Sequence, residues 1–548
     1  MLAQHCAKQT APTGGPKDEI PPSLTRLNPA HGEVNFNGKE IQLTFDELVE
    51  LNNPSEQIII TPAIGKKFEA TAKKNKVVLE LNSTLQENTT YSINFRESVQ
   101  DLTEKNPALV KLAFSTGAYI DSLSVTGTVT DILADKDVSN YTVALTPASD
   151  TFNIFKHAAS WITLTDKQGK FTLENLKPGN YFIYAFDDKN KNLIVDSKSE
   201  KYGFKSSTIN LEGAIDSVKI SAFKLDASKL KLIASRPTFA YFNIRFSKSL
   251  VDYKLSPSDT TEKIYSTLES DLATIKVYNT IPDLDSLQLH LEARDSINSK
   301  VDTLIYIKFP KKESTKDKFS GKIESSTIYE NKSRLSAIIS FNKPVVYFIQ
   351  DSVFIQLDSI TRTTFSKDDY KWNEDFTVLS VSKKVETKAK TSDLPKKEIT
   401  EKVKPERSEK KNQKKYNELI LAKGSIISVE NDTAFLLISP IKNIKPEDTA
   451  LIHAKVETKE NFILQVLNKN NQIAGEVKNI KEYHFENLPA GMYLLRLLID
   501  LNKNGKWDAG DYLNKKEPEP VVFYINSKKL KDIAVKANWQ VGPLLISY

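Results

Sequence analysis

The sequence predicts an all-β protein made of tandem β-sandwich domains. Apolar and polar residues alternate with a period of two along nearly every segment, as in Ile41 to Phe45 and Phe242 to Phe246. This alternation is typical of strands that bury one face. Long runs at the helical period are scarce, and 548 residues with 39% apolar content are enough for several domains. Tandem sandwiches are therefore the simplest architecture that fits the chain.

A first internal repeat places three of these domains. Each copy is a strand that ends in phenylalanine, followed by two polar residues. The copies are Phe45-Asp-Glu-Leu48, Phe246-Ser-Lys-Ser249 and Phe341-Asn-Lys-Pro344. The last two phenylalanines are 95 residues apart, which is about the length of one sandwich. We expect Ig-like domains at 21–118, 225–315 and 316–455.

A second repeat predicts two copies of another domain, at 119–224 and 456–548. Residues 173–181 align without gaps on residues 485–493, at an offset of 312. The same offset carries the polar loop that begins at Asp188 onto the loop that begins at Asp500. A spacing this large indicates two small domains, because solenoid repeats recur every 20–50 residues.

The single cysteine, Cys6, precedes a Pro- and Gly-rich stretch within residues 1–20. A lone thiol can form neither an internal disulfide nor a structural zinc site. We expect Cys6 to carry a lipid anchor and residues 1–20 to act as its tether, and the alternative is an ordinary free thiol. No run of about 18 apolar residues occurs, so the sequence predicts no membrane-spanning helix.

Positive charge is concentrated in one segment. Residues 383–416 hold 13 basic and 6 acidic residues, an excess larger than the +6 net charge of the whole chain. The folded domains are therefore not basic overall, which argues against nucleic-acid binding by them. We expect 383–416 to be a disordered or partly helical insert in the domain at 316–455. It is either a solvated linker or a contact for lipid phosphates or an acidic partner.

The loop that begins at Asp500 is the best candidate site. Its side-chain oxygens fall at positions 1, 3, 5, 9 and 12, with glycine at position 6, which is the spacing of an EF-hand-type calcium loop. A glutamate at position 12 is missing, and the alternative is a hairpin loop rich in turn residues. The candidate calcium ligands are Asp500, Asn502, Asn504, the Lys506 carbonyl, Asp508 and Asp511.

The equivalent loop of the first copy is a weaker candidate. It retains oxygens at Asp188, Asn190, Asn192 and Asp196, but Leu193 replaces the glycine. A polar loop without metal is the favoured interpretation there.

No sequence motif indicates catalysis. The six histidines show no metal-ligand spacing, and the chain has no nucleophile elbow, P-loop or dinucleotide-binding glycine pattern. Carboxylate pairs are plentiful, but nothing indicates the cleft that glycosidase chemistry needs. Four tryptophans form either a sugar-stacking platform or parts of the sandwich cores. They are Trp161, Trp372, Trp507 and Trp539.

Together these motifs resemble a family of multi-domain envelope lipoproteins of Bacteroidetes-type bacteria. The matching segments are Cys6 with Pro12 to Asp18, Pro21-Pro22, Phe45 to Glu47, Asn88 to Tyr91, Phe114 to Gly117, Gly127 to Val129, Leu176 to Tyr181, Asn504 to Asp508 and Val535 to Trp539. The resemblance implies an S-layer-type bacterial Ig-like domain at the N terminus. It also implies carboxypeptidase-regulatory-like, or transthyretin-like, modules at 119–224 and 456–548.

The resemblance implies a lipid-anchored protein of the outer membrane. We expect a non-enzymatic scaffold or accessory subunit of an envelope complex for outer-membrane assembly or secretion, which binds partners through its β-sandwich surfaces. Two alternatives stay open. One is a carbohydrate-binding surface lipoprotein for glycan uptake, and the other is an adhesin or S-layer-like structural protein.

Overall fold

The computed structural model describes residues 18–64, 68–133, 138–149, 151–257, 263–280, 286–309, 315–357, 361–385 and 417–548. These residues form two compact units. The first unit is Met1–Ser228 with Gly510–Pro518, and the second is Lys229–Ala509 with Glu519–Tyr548. Nearly all described elements are β-strands, and they pair into separate sheets around distinct apolar cores. The all-β prediction is confirmed.

Sandwich I, in the first unit, packs a four-stranded sheet against smaller sheets. Its strands are β1 (Leu24–Asn28), β2 (Glu40–Phe45), β3 (Val49–Leu51), β4 (Ile59–Thr61), β5 (Phe68–Lys73), β6 (Lys76–Leu81), β7 (Thr90–Asn94), β8 (Val99–Asp101) and β9 (Lys111–Ser115), and helix α1 spans Pro54–Gln57. The sheet orders are β1-β2-β6-β5, β4-β7-β9 and β3-β8. Alternation along β2 turns Ile41, Leu43 and Phe45 into the core, as the sequence predicts.

Sandwich II completes the first unit. Its strands are β10 (Leu123–Asp131), β11 (Thr142–Pro147), β12 (Trp161–Leu164), β13 (Lys170–Leu176), β14 (Gly179–Phe186), β15 (Tyr202–Phe204), β16 (Ile209–Leu211) and β17 (Ile215–Ala222). One sheet has the order β13-β10-β17, with β10 and β17 parallel, and the other has the order β12-β11-β14-β15, with β16 also paired to β14.

Sandwich III begins the second unit and places two sheets around one core. Its strands are β18 (Leu232–Thr238), β19 (Tyr241–Phe246), β20 (Asp252–Pro257), β21 (Ser266–Leu268), β22 (Thr274–Val277), β23 (Leu287–Arg294) and β24 (Lys300–Ile307). The sheet orders are β18-β19-β22-β21 and β20-β23-β24. Phe242, Ile244 and Phe246 of β19 are buried, as their alternation predicts.

Sandwich IV contains the third copy of the phenylalanine repeat. Its strands are β25 (Gly321–Tyr329), β26 (Arg334–Phe341), β27 (Val345–Phe348), β28 (Val353–Gln356), β29 (Arg362–Thr364), β30 (Tyr370–Trp372), β31 (Val378–Lys384), β32 (Glu418–Leu421), β33 (Ile426–Ser428), β34 (Leu437–Pro440) and β35 (Lys442–Ile444), with 3-10 turns at Glu330–Lys332, Gln350–Ser352 and Lys367–Asp369. The sheet orders are β30-β31-β26-β25-β35, β29-β28-β32-β34 and β27-β33. Most of the predicted basic insert, 386–416, lies outside the described residues.

Sandwich V has the same strand order as sandwich II. A 3-10 turn at Pro446–Asp448 precedes its strands, which are β36 (Ala450–Glu457), β37 (Asn461–Asn468), β38 (Ile473–Lys478), β39 (Glu482–Leu488), β40 (Gly491–Asp500), β41 (Val521–Phe523), β42 (Ile533–Val535) and β43 (Gln540–Ser547). The order β39-β36-β43 with parallel β36 and β43 mirrors β13-β10-β17. β36 starts at Ala450, ahead of the predicted domain start at 456. The domain boundaries expected from the sequence stay predictions.

Candidate functional site

The candidate site is the acidic loop, which we define as residues 500–509 and Glu519, where the chain leaves β40. Leu495, Leu497 and Ile499 of β40 point into the core of sandwich V. The same strand therefore carries the Asp500 side chain, which is also buried, to the rim of the sandwich. A buried carboxylate needs hydrogen-bond donors, and the turn that follows supplies them.

Asp500 organises this turn through backbone amides. Its Oδ1 accepts the Asn504 N–H at 3.0 Å, and its Oδ2 accepts the Gly505 N–H at 2.9 Å. Asn502 Oδ1 also accepts the Asn504 N–H, at 3.0 Å. Lys503 and Gly505 adopt positive φ angles of 60° and 78°. The predicted glycine thus occupies a left-handed position, which it adopts without steric cost.

Asp508 closes the loop from the other end. Its Oδ2 accepts the Asn504 side-chain amide at 2.9 Å and also accepts the side-chain amide of Asn502. Asn504 Oδ1 in turn accepts the Lys506 N–H at 2.8 Å. The structure therefore brings Asp500, Asn502, Asn504 and Asp508 into one hydrogen-bonded cluster.

Glu519 is the central acceptor that the sequence analysis missed. Its side chain is only 7% exposed. Oε1 accepts the N–H groups of Leu501 at 2.7 Å and Asn502 at 3.2 Å, and Oε2 accepts the Asp508 N–H at 2.8 Å. The Trp507 indole donates to the Glu519 carbonyl at 2.8 Å. One carboxylate thereby joins both ends of the loop to the start of β41.

Asp511 makes its hydrogen bonds outside the acidic loop, and the Lys506 carbonyl as a calcium ligand stays a prediction. The Asp511 carboxylate accepts the N–H groups of Leu513 and Asn514 at 2.9 and 3.2 Å, and so caps a separate turn. The Lys506 N–H donates to Asn504 Oδ1 within the acidic loop, as described above. The neighbouring Gly505 carbonyl accepts the Lys478 ammonium at 2.7 Å. A lysine charge thus already lies against the acidic loop.

The loop of the first copy has the same design in sandwich II. Asp188 accepts the N–H groups of Asn192 and Leu193 at 3.2 and 3.1 Å. The fully buried Glu200 accepts those of Lys189 and Asp196, at 3.0 and 2.8 Å. Leu193 replaces glycine yet adopts a φ of 62°, a conformation that is costly for a leucine.

Two pKa values in the first-copy loop follow from this geometry. Burial raises the pKa of Glu200, although two backbone N–H groups act against the shift. The hydrogen bond from the Ser199 hydroxyl lowers the pKa of Asp196, and the Lys198 backbone N–H adds to the effect. Both loops therefore use carboxylates as acceptors that hold the backbone in place.

The oxygen-rich acidic loop has the donor chemistry that calcium prefers. Each carboxylate oxygen that accepts one N–H keeps a second lone pair for another partner. Among the residues that the structure describes, however, no group of three or more His, Cys, Asp and Glu side chains is arranged to hold a metal ion. The loop as it stands is stabilised by its own hydrogen bonds.

The remaining candidate residues are Cys6 and the tryptophans. Cys6 lies outside the described residues. Trp161 and Trp372 pack within their own sandwiches against Tyr181 and Phe341, and Trp539 alone of the four tryptophans is exposed, at 46%. Within the described part of the chain, no helix is long and apolar enough to span a membrane.

Comparison with known proteins identifies one part of the chain. Residues 18–116 match the family model for a bacterial Ig-like domain. Sandwich I is therefore similar to bacterial Ig-like domains, as the resemblance implied. The match covers less than half of the chain, and no curated protein matches it.

Solved structures show only distant likeness. A DUF3823 family protein from Bacteroides uniformis ATCC 8492 is 12% identical, with 34% of this chain and 100% of that chain covered and a TM-score of 0.12. Domains 1–6 of the surface layer protein SbsC are 10% identical over 94% and 67% of the two chains, with a TM-score of 0.16. The group B streptococcus pilus 2b backbone protein is 11% identical over 37% and 97%, with a TM-score of 0.12. At these TM-scores the likeness carries no argument about function.

Proposed function

We propose that this protein is a non-enzymatic, lipid-anchored scaffold that binds other envelope proteins through the outer strands of its β-sandwiches. The observation that carries the proposal is the exposure of large apolar side chains on terminal strands of sheets that already bury complete cores. On β24, the last strand of its sheet, Leu304 and Tyr306 are exposed, Tyr306 at 66%. Exposed apolar residues on an edge strand are typical of surfaces that take a protein partner.

A second such edge lies in sandwich IV. β34 is the terminal strand of its sheet and exposes Ile438, and the exposed residues Phe435 and Leu436 precede it. These edges can add a strand or an apolar segment from a partner without any change in the sandwich core. An outer-membrane assembly or secretion complex is the class of partner that the sequence resemblance implies.

Membrane attachment is the part of the proposal that rests on Cys6. A thioether-linked diacylglycerol would hold the sandwiches at the membrane, and residues 7–20 would space them from it. Metabolic labelling with an alkyne fatty acid tests this directly. We expect label on the wild-type chain and none on Cys6→Ser, together with release of Cys6→Ser from the membrane fraction. An unlabelled wild-type chain with a titratable thiol would rule out the anchor.

Calcium in the acidic loop is a separate part of the proposal. Asp500, Asn502, Asn504 and Asp508 would supply side-chain oxygens, and calcium would stiffen a loop that hydrogen bonds already order. Lys478 on the Gly505 carbonyl opposes cation binding, so we expect weak affinity. The carbohydrate alternative is not favoured, because it needs a row of exposed tryptophans and only Trp539 of the four is exposed.

Affinity purification from detergent-solubilised native membranes tests the scaffold role. We expect the wild-type chain to retain an outer-membrane protein in a fixed ratio, and a Leu304→Asp, Tyr306→Asp variant to lose part of it. A variant at an exposed lysine of the same sandwich, Lys254→Asp, controls for the added charge. Equal recovery from all three proteins would show that β24 is not the contact.

A further inference from the structure

The two polar loops differ by one insertion. Three residues separate Asp196 from Glu200, whereas ten separate Asp508 from Glu519. Glu200 and Glu519 make equivalent hydrogen bonds to the start and the end of their loops. The seven additional residues of the second copy are therefore not needed to build the loop.

The inserted segment folds as a short hairpin. Asp511 and Lys516 exchange backbone hydrogen bonds of 2.8 and 2.9 Å. Gly510 lies at its base with a φ of 76°, where a Cβ atom would come within 2.6 Å of the Lys516 carbonyl oxygen. Only glycine fits at this position. We call residues 510–518 the docking hairpin, and they belong to the first compact unit.

Within that unit, the aromatic ring of Tyr512 packs between two phenylalanines of sandwich II. Its centroid lies 5.1 Å from the centroids of both Phe155 and Phe204, and both contacts are edge-on. The Ile154 N–H donates to the Tyr512 hydroxyl at 3.4 Å. Burial in this setting raises the pKa of Tyr512. Edge-on aromatic pairs of this kind contribute beyond the area that they bury.

Glu517 makes the second half of the contact. It accepts hydrogen bonds from the Lys205 ammonium at 2.6 Å, the Ser206 N–H at 2.9 Å and the Ser206 hydroxyl at 2.9 Å. Burial acts to raise the pKa of Glu517, but the bonds from Lys205 and Ser206 outweigh it and lower the pKa. The carboxylate is therefore ionised at neutral pH and held by a charge-assisted contact.

We propose that the docking hairpin is a built-in ligand, and that Phe155, Phe204, Lys205 and Ser206 form its receptor surface on sandwich II. The receptor recognises an aromatic ring and a carboxylate presented together on one tight hairpin. While the hairpin is bound, this surface of sandwich II is closed to other partners. The contact thus acts as an internal cap on this surface.

Deletion of residues 511–517 tests the proposal in the full-length chain. It leaves Ala509, Gly510 and Pro518 between Asp508 and Glu519, which matches the spacing in the first copy. Hydrogen exchange followed by mass spectrometry measures the exchange rates of the Ile154 and Ser206 amides. Their hydrogen-bond acceptors, Tyr512 and Glu517, lie on the hairpin. We expect exchange at both sites to accelerate about tenfold or more. Amides of β14 and of Asn504 should keep their wild-type rates, which shows that sandwiches II and V remain folded.

Point variants separate the contact from any effect of the deletion. The double substitution Tyr512→Ala, Glu517→Gln should reproduce the faster exchange, and Lys528→Ala, at an exposed position of sandwich V, should not. A synthetic peptide of residues 508–519 should restore protection to the deletion variant, and the same peptide with Tyr512→Ala should fail. Unchanged exchange at Ile154 and Ser206 in both the deletion and the double variant would overturn the proposal.

Discussion

The ammonium group of Lys343 lies 2.6 Å from Glu430 Oε2 inside sandwich IV, and the two side chains are 1% and 5% exposed. Asp432 binds the same ammonium at 2.7 Å. Sandwich III has an equivalent pair, Lys248 and Asp295, at 2.7 Å. Both lysines are the second residue after the phenylalanine of the first repeat, in Phe246-Ser-Lys248 and Phe341-Asn-Lys343. In these two copies the repeat encodes a buried ion pair as well as the end of a strand, whereas the first copy has Glu47 at the lysine position.

Loss of the Lys343 ammonium should destabilise sandwich IV strongly. Lys343→Met removes the closer of the two ammonium groups that contact the buried Glu430, since Lys316 lies 3.7 Å away, and losing one partner of a buried ion pair costs about 3–5 kcal/mol. Urea denaturation, followed by hydrogen exchange of peptides from β26, measures the effect. Lys322→Met is the matched control, because its ion pair with Glu324 lies on the surface, and it should cost less than about 1 kcal/mol. Equal costs for the two variants would contradict the structure.

The same cluster predicts how the stability of sandwich IV depends on pH. Burial acts to raise the pKa of Asp432, but hydrogen bonds from Lys343 and Ser428 outweigh it and lower the pKa. Its stabilisation is therefore present above the unfolded pKa of about 3.9 and is lost as the pH falls through the lower folded value.

Lys343 responds at the opposite end of the pH scale. Burial acts to lower its pKa, but Asp432 and Glu430 outweigh this and raise it. Its contribution is present below about pH 10.4 and is lost as the pH rises through the higher folded value.

We expect Asp432→Asn to reduce the acid dependence of urea unfolding between pH 5 and 2, measured on the same β26 peptides. If the variant and the wild type lose stability equally as the pH falls, Asp432 is not the source of the acid dependence of sandwich IV.

Glu519 should be more important for the acidic loop than any predicted calcium ligand. Glu519→Ala removes the acceptor of three backbone N–H groups, and we expect a loss of about 2–3 kcal/mol. Glu519→Gln, which keeps one acceptor oxygen, should fall between the alanine variant and the wild type. Hydrogen exchange at Leu501 and Asp508 reports the loss locally. Glu447→Ala, at an exposed site in the second unit, should leave both amides at wild-type rates.

Calcium binding is tested by titration calorimetry on the full-length chain. We expect weak binding to the wild-type protein that Asp500→Asn abolishes. Asp188→Asn is the matched control, because it changes the equivalent carboxylate of the first-copy loop, and it should leave the binding unchanged. Flat titrations of the wild type would show that the acidic loop does not bind calcium and is held by its hydrogen bonds alone.

Local pattern was sufficient to predict much of the fold. The alternation at Ile41 to Phe45 and at Phe242 to Phe246 predicts β2 and β19, because period two directly reflects which face of a strand is buried. The gap-free repeat that begins at Leu173 and Phe485 predicts the matching pairs β13 with β39 and β14 with β40.

The same patterns did not reveal the contacts between distant residues. Glu519 was missed because the seven-residue insertion shifts it out of the constant offset that reveals Asp500 and Asp508. The partner of Lys343 follows 87 residues later, and no local pattern connects the two. Likewise, nothing near Tyr512 in the sequence indicates that its ring packs against Phe155.

Purification of the full-length chain from native membranes, with quantitative mass spectrometry, tests the central claim most directly. We predict that the chain fractionates with the outer membrane, carries a lipid at Cys6 and recovers an outer-membrane protein in constant ratio across detergents. Recovery of the chain alone from the soluble fraction, with a free Cys6 thiol, would contradict a membrane-anchored scaffold.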